Sequence, residues 1–318
     1  MESLLYVVTS PPVILFIVGI LAAIGKSNLK MPDGLSIGLN MYLLLAIGLK
    51  GGMGLAEVRI DEVVAPFAAA LILGLILPIV GYFIGMLFKF TFEERVAMAA
   101  TFGSVSLVTF AAATAQLDQM GIGYEPYMTT LVVLLEIPGL VVALMIYQHF
   151  KSPVFGIVPR AGATHVMIDS LMSKSILLLI AGLAAGYFAP DTAMLKPFFV
   201  DLFPGVLLLF LLGLGLKVGQ QLGVIKEYGW ALIAAGIVFP VIGAVIGYMM
   251  AQAAGFSEGG TILFMALAAS GSYIAAPAML QASVPDAKPS FYLTMALAVT
   301  FPFNLIVGIP LFIQFVTG

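Results

Sequence analysis

LAIGLKGGMGL, residues 45–55, is echoed by LGLGLKVGQQL at 212–222. Six of the eleven positions are identical, among them Gly48/Gly215 and Lys50/Lys217. Three more pairs follow in the same order. LPIVGYFIGM at 77–86 aligns with FPVIGAVIGY at 239–248 through a proline and two glycines. Phe92-x-Glu94 aligns with Phe256-x-Glu258, and EIPGL at 136–140 aligns with TFPFN at 300–304 on Pro138/Pro302. The paired anchors lie 162 to 167 residues apart, so the chain reads as two related halves. Apolar, glycine-rich helices can resemble one another by chance; four ordered anchors argue against chance here.

The composition says where such a chain lives. Of its 318 residues, 62% are hydrophobic and only 9% are charged, whereas a soluble domain carries about 25% charged residues. So little charge cannot cover a globular surface in water, which makes this an integral membrane protein. Cysteine is absent, which excludes disulfides, thiolate metal sites and cysteine nucleophiles. The two histidines, His149 and His165, fall in one central region, so a histidine metal site is not expected. A net charge of −3 gives no footing for nucleic acid. MESLLYVVTSPP at the start lacks a basic region, so the first apolar run is expected to be a retained span.

A spanning helix needs about 20 mostly apolar residues. Apolar runs divided at Gly, Pro and charge give ten candidates, near 8–25, 35–52, 63–89, 94–117, 125–149, 172–189, 203–219, 228–253, 259–283 and 288–316. A β-barrel would instead show short alternating segments. Connections after odd-numbered spans carry ten Lys and Arg, including Lys26, Lys89, Arg95 and Lys217, against Lys50, Arg59 and Lys196 on the other side. Basic residues stay cytoplasmic, which predicts both termini outside and the connection at 150–171 inside. Five spans per half force the second half to cross in the opposite sense. The expected fold is therefore an all-α membrane protein with a five-plus-five inverted repeat, an architecture of secondary transporters. Residues 1–149 and 172–318 are the two repeats.

Corresponding spans 4 and 9 each carry a small polar knot: Gly103-Ser104-Val105-Ser106, and Ser270-Gly271-Ser272-Tyr273 before Pro277. Glycine weakens a helix interior by about 0.8–1.0 kcal/mol relative to Ala, and serine caps helix starts. A helix broken at such a knot frees N–H groups at the start of its second half, where anions bind. Two such starts facing each other make an anion site without Arg or Lys. Close helix packing explains one such knot equally well; its recurrence in the partner span favours a site.

Glu136 lies in mid-span before Pro138. A carboxylate at membrane depth marks function by default, as a cation ligand, a proton carrier or part of a hydroxyl network. Stabilising the proline kink is its bland alternative. Its repeat counterpart is Thr300, with Asn304 one turn on; Thr, Asn and free carbonyls are oxygen donors suited to Na⁺. Glu93, Glu94 and Arg95 read as a solvated helix start, as do Asp61 and Glu62, and Tyr124, Tyr127, Phe150 and Trp230 as interface anchors. No Walker A or His-Glu-x-x-His motif occurs, and the two Gly-x-Ser-x-Gly matches, GLSIG at 34–38 and GFSEG at 255–259, have no strand-to-helix turn to sit on in a chain read as all-α. Neither ATP-driven transport nor the usual hydrolase chemistry therefore has support, and the chain is not read as an enzyme.

Through FGSVSLVTFAAA at 102–113, Glu136-x-Pro138, SGSYIAAPA at 270–278 and FPFNLIVGIP at 301–310, the chain resembles the sodium-dependent bicarbonate transporter family known from cyanobacteria, with relatives in other bacteria. The resemblance runs the length of the chain. It implies a homotrimer in the bacterial inner membrane, with a gate part (spans 1, 2, 6 and 7) and a core part (spans 3–5 and 8–10). It also implies elevator-type, Na⁺-coupled symport of bicarbonate or a similar small anion. By motif, Gly103, Ser104, Val105, Ser106, Ser270, Gly271, Ser272 and Tyr273 would surround the anion, and Thr109, Glu136 and Asn304, with Thr300, would form the sodium network. Cyanobacterial members carry a longer central loop and are inhibited by a small PII-like protein on the cytoplasmic face. The short connection at 150–171 counts against that partner. The residues leave open a proton-coupled exchanger using Glu136 and a passive anion channel with the same two helix ends.

Overall fold

The computed structural model describes residues 10–151, 174–189 and 191–318. The chain is all-helical there, with no strand among the described residues. The helices are α1 (Pro11–Ile24), α2 (Asp33–Ala56), α3 (Ile60–Leu87), α4 (Phe92–Gly103), α5 (Leu107–Met120), α6 (Met128–Lys151) and α7 (Lys174–Phe188). The next helical path, Phe203–Ala254, is interrupted at Gly229, whose φ of 68° and ψ of −161° lie outside the helical region. Its arms are α8 (203–228) and α9 (230–254). Then come α10 (Glu258–Ala268), α11 (Ala275–Ser283) and α12 (Pro289–Thr317), the last with π-helical turns over Thr294–Thr300 and Asn304–Gly308. The connection at 150–171, with Arg160 and His165, lies almost wholly outside the described residues, as do the first nine.

Among the described residues, seven stretches are long and apolar enough to cross a membrane: Asp33–Ala56, Ile60–Leu87, Phe92–Met120, Met128–Phe150, Pro197–Gly223, Glu227–Ala254 and Pro289–Thr317. Pro11–Ile24, Lys174–Phe188 and Glu258–Ala268 are shorter apolar helices. On α3, Val64, Leu71, Leu75, Ile79 and Phe83 are exposed, whereas Ala70, Leu73, Leu77 and Ile84 are buried. Both faces are apolar because one meets lipid and the other meets protein. Phe92–Met120 differs: its most apolar window is wholly buried.

Local signals set the ends. Thr91 and Glu94 close a capping box at the start of α4. Gly121 (φ 68°) and Gly255 (φ 76°) end α5 and α9 in the left-handed conformation that glycine adopts freely. Trp230 and Phe150 are exposed, as anchors should be, but Tyr127 is buried against Phe67 and so packs in the core. Tyr124 donates to Asp118 (3.2 Å), and burial together with that carboxylate pushes its phenol pKa up.

Glycine seams join the helices. In lipid there is no hydrophobic force between spans, so close van der Waals approach through small residues takes its place. A Cβ on Gly48, Gly52 or Gly186 would strike the facing backbone across the α2–α7 seam, and one on Gly19 or Gly215 would do so across α1–α8. The tightest contact is between α4 and α6, where a Cβ on Gly139 would collide with the Gly103 carbonyl.

Gly139→Ala is therefore expected to cost about 1–3 kcal/mol by overpacking, read as a lowered melting temperature of the detergent-solubilised protein. Gly223→Ala, where a Cβ would meet nothing within 4 Å, should leave it unchanged or slightly raised. Equal melting temperatures for wild type and Gly139→Ala would refute the close α4–α6 contact.

Candidate functional site

Both polar knots are breaks in the helical path. The first path stops at Gly103, is extended at Ser104 and Ser106, and resumes at Leu107. The second stops at Ala268 and resumes at Ala275. Ser104, Ser106, Ser270 and Ser272 are all buried, so the freed backbone groups need partners within the protein.

The two breaks supply them to each other. The Ser106 N–H donates to Ser270 Oγ (2.8 Å), and the Ser270 hydroxyl itself donates to the Leu267 carbonyl (2.8 Å). In return, the Ser272 N–H donates to the Thr101 carbonyl (2.7 Å). Each serine also caps its own resumed helix: Ser106 Oγ accepts from the Thr109 N–H (3.2 Å), and Ser272 Oγ from the Ala276 N–H (3.3 Å). In α5 the first carbonyl-bonded amide is Phe110, paired with the Ser106 carbonyl. The Leu107 and Val108 N–H groups thus have no intrahelical acceptor. In α11 the third position is Pro277, which has no N–H to satisfy.

The remaining residues fall into two groups. On the α6 side, Glu136 is buried and its Oε2 accepts from the Ser104 hydroxyl (2.9 Å), with the Val105 backbone beside this carboxyl. On the α12 side, Asn304 donates through Nδ2 to the Ala269 carbonyl (2.7 Å), next to Ser270. The segment Asn304–Gly308 packs on α5, the helix of Thr109. Asn304 Oδ1, Thr109 Oγ1 and Thr101 Oγ1 are buried without a hydrogen-bond partner. Thr300 stands apart from this cluster by its bonding: its hydroxyl donates to the Gly236 carbonyl of α9 (2.7 Å).

Packing accounts for the two glycines. Gly103 meets Gly139 and Pro78, and a Cβ on Gly271 would come within 2.9 Å of the Phe102 ring. That ring stacks on Phe239 at 4.2 Å. Tyr273 lies beside Ser106, its buried hydroxyl without a hydrogen bond of good geometry. It also lines a cavity of about 350 Å³. Thr101 was missed in the sequence. Its carbonyl acts through a backbone contact that no side-chain motif announces, although its hydroxyl stands one turn before the first knot. Glu125 was missed too: its carboxylate accepts from the Ser257 N–H (2.6 Å) and caps α10 from a distant loop.

Apolar helices of membrane-spanning length, packed around a buried and doubly broken backbone, define a multi-pass integral membrane protein. A family model for the Na⁺-dependent bicarbonate transporter superfamily matches residues 11–317, and the chain belongs to that superfamily. Membership places it among transporters rather than enzymes and implies Na⁺-dependent bicarbonate transport in broad terms. No curated protein matches the chain.

Replacing Ser270 by Ala leaves the buried Ser106 N–H without an acceptor, at a cost of about 1–3 kcal/mol. Hydrogen exchange over 101–110 should accelerate in Ser270→Ala, and the melting temperature should fall further than in Ser272→Ala, which loses only a cap. Unchanged exchange in 101–110 would mean that the two breaks do not hold each other.

Proposed function

We propose that the protein is a Na⁺-coupled symporter that carries bicarbonate between its two helix breaks by an elevator-type motion. The observation that carries this reading is the reciprocal lacing of the breaks in a buried region with no basic residue. The Leu107 and Val108 N–H groups are the donors left at the start of α5, and the serine hydroxyls can both donate and accept. Bicarbonate has three oxygens and one O–H. That mixture of acceptor and donor suits hydroxyls better than a halide or a fully deprotonated oxyanion would.

The same arrangement explains a need for Na⁺. An anion held only by N–H and O–H dipoles, near the Glu136 carboxyl, lacks a full positive charge, and electrostatic effects are large in a weakly polarisable site. A bound cation removes that deficit. The buried, unpartnered Asn304 Oδ1 and Thr109 Oγ1 fit a hard cation, which takes oxygen donors. Glu136 could add a carboxylate oxygen from across the first break. Thr300 is the weakest of the four candidates, because its hydroxyl bonds Gly236 of α9 and neither helix break. Since each ion makes the other's binding more favourable, the coupling is reciprocal.

Internal symmetry supports the ten-span, five-plus-five inverted reading, with repeats at 1–149 and 172–318. Gly19 packs on the Leu212 carbonyl, and Gly182 packs on the Leu45 carbonyl; Leu45 and Leu212 are repeat partners. Thr130 donates to the Gly51 carbonyl (3.3 Å), and its partner Thr294 donates to Gln221 of α8 (3.2 Å). The gate would comprise α1, α2, α7 and α8, and the remaining helices, tied through the breaks, would move as the core. The inner-membrane location, external termini and trimer belong to the same proposal. The PII-like partner is left out of it, because its loop is short.

Labelled bicarbonate uptake into proteoliposomes should require an inward Na⁺ gradient. Uptake at full rate without Na⁺ would instead mean a channel. Glu136→Gln should raise the Na⁺ concentration for half-maximal uptake by about tenfold, a loss of about 1.4 kcal/mol. Unaltered Na⁺ dependence in that variant would take Glu136 out of both the sodium network and any proton exchange.

A further inference from the structure

The site lacks basic residues, yet a lysine stands at each of two cavities flanking it. The larger cavity, about 350 Å³, is lined by Leu214, Lys217 and Gln220 of α8 and touches the second break at Tyr273 and Ile274. A smaller one, about 230 Å³, is lined by Ile47, Lys50 and Met53 of α2 and by Phe110 and Thr114 of α5. The first three residues of each set are repeat partners, 167 positions apart. The correspondence extends to how each ammonium rests. Lys217 Nζ donates to Ser36 Oγ (3.1 Å), whereas Lys50 Nζ lies 5.1 Å from the centre of the Phe203 ring. Ser36 and Phe203 are themselves 167 positions apart. Across the cavities, Thr129 and Leu293 are partners by the register of Pro138/Pro302. These are one cavity built twice.

We infer that Lys217 and Lys50 are anion-receiving residues, one on each access route, that gather the small anion before it reaches the helix breaks. The inference rests on the proposed inverted repeat, which puts the two cavities on opposite sides of the membrane. Among the described residues neither ammonium is in an ion pair. Lys217 is the only charged residue lining its cavity among those described, and Ser36, Asn40, Gln220 and Gln221 give it a polar wall. The Lys50 cavity also holds Lys196 and Glu57, and the Asp118 charge reaches Lys50. It is therefore the weaker collector of the two.

A lysine inside the site would neutralise the anion without Na⁺ and weaken the coupling. One placed at the cavity wall raises the local anion concentration and leaves the coupling intact. A charge lining a cleft with low-dielectric walls raises encounter rates by about 10- to 1,000-fold, and salt screens the effect.

The chain has no cysteine, so single cysteines can report the field. Gln220→Cys and Met53→Cys, in otherwise wild-type protein, would each be reacted in detergent with anionic and cationic methanethiosulfonates. The anionic-to-cationic rate ratio should fall about tenfold when Lys217→Gln or Lys50→Gln is added to its neighbouring cysteine. Lys→Arg should preserve it. In proteoliposomes, Lys217→Gln should raise the bicarbonate KM from its own side several-fold, with the maximal rate and Na⁺ dependence unchanged. A ratio that ignores the lysines, or a KM that ignores them in an active protein, overturns the inference. A wild-type protein that carries no bicarbonate defeats the proposed function instead, and the labelling ratio then decides the inference alone.

Discussion

A peptide N–H stripped of its helical acceptor has no water to turn to inside a membrane, and each such group costs several kcal/mol. Everything distinctive in this protein follows from how it meets that constraint twice. The breaks after Gly103 and Ala268 are tolerable because Ser106 finds Ser270 and Ser272 finds Thr101. Each break supplies a partner that the other would otherwise lack. Their mutual dependence also has a mechanical consequence. Helices α4, α5, α10 and α11 are tied into one body, and Asn304 adds α12 to it through the Ala269 carbonyl. Glu136 adds α6 through Ser104.

Outside that body, the joints are of another kind. The α1–α8 and α2–α7 seams are close glycine contacts with backbone against backbone. Among the described residues, the hydrogen bonds seen between the two groups of helices are Thr130 to Gly51, Thr294 to Gln221, and Tyr228 with Ser290. A polar lattice holds each half of the site within one body, and the seam between bodies carries cavities. Strength within and sparseness between would suit the carrier of the proposed elevator-type motion.

Much of this was legible in the sequence, and what was legible follows a pattern. GSVS and SGSY announced both breaks, because Gly and Ser weaken a helix whatever surrounds them. The lone Glu136 drew notice because hydrocarbon makes carboxylates rare. The expected repeat pairs Gly48 with Gly215 and Lys50 with Lys217; both glycines lie in close helix seams and both lysines line cavities. Thr101 was illegible because its carbonyl, the part that receives the Ser272 N–H, is common to every residue. Gly103 was ambiguous, since a glycine that lets a helix break and one that lets helices touch look alike. Its contact with Gly139 supplies the second reason without removing the first. Tyr127 resembled an interface anchor because an aromatic hydroxyl at a span end has two homes, and only packing against Phe67 tells them apart.

The placement of charge completes the logic. A transporter must hold its anion firmly enough to select it and loosely enough to release it. Dipoles from N–H and O–H groups give that intermediate grip, whereas a buried lysine facing a monoanion would form an ion pair costly to separate. Leaving full positive charge out of the breaks therefore does two things at once: it keeps release possible, and it leaves a charge deficit that the proposed Na⁺ would offset. Lysines are then admissible only where water still reaches them, and the two cavities beside the breaks are where Lys50 and Lys217 stand. Under the proposed inverted repeat the two lysines would serve opposite sides of the membrane, Lys50 more weakly than Lys217. A symporter of the proposed kind would run in either direction, set by the sum of the Na⁺ and anion gradients.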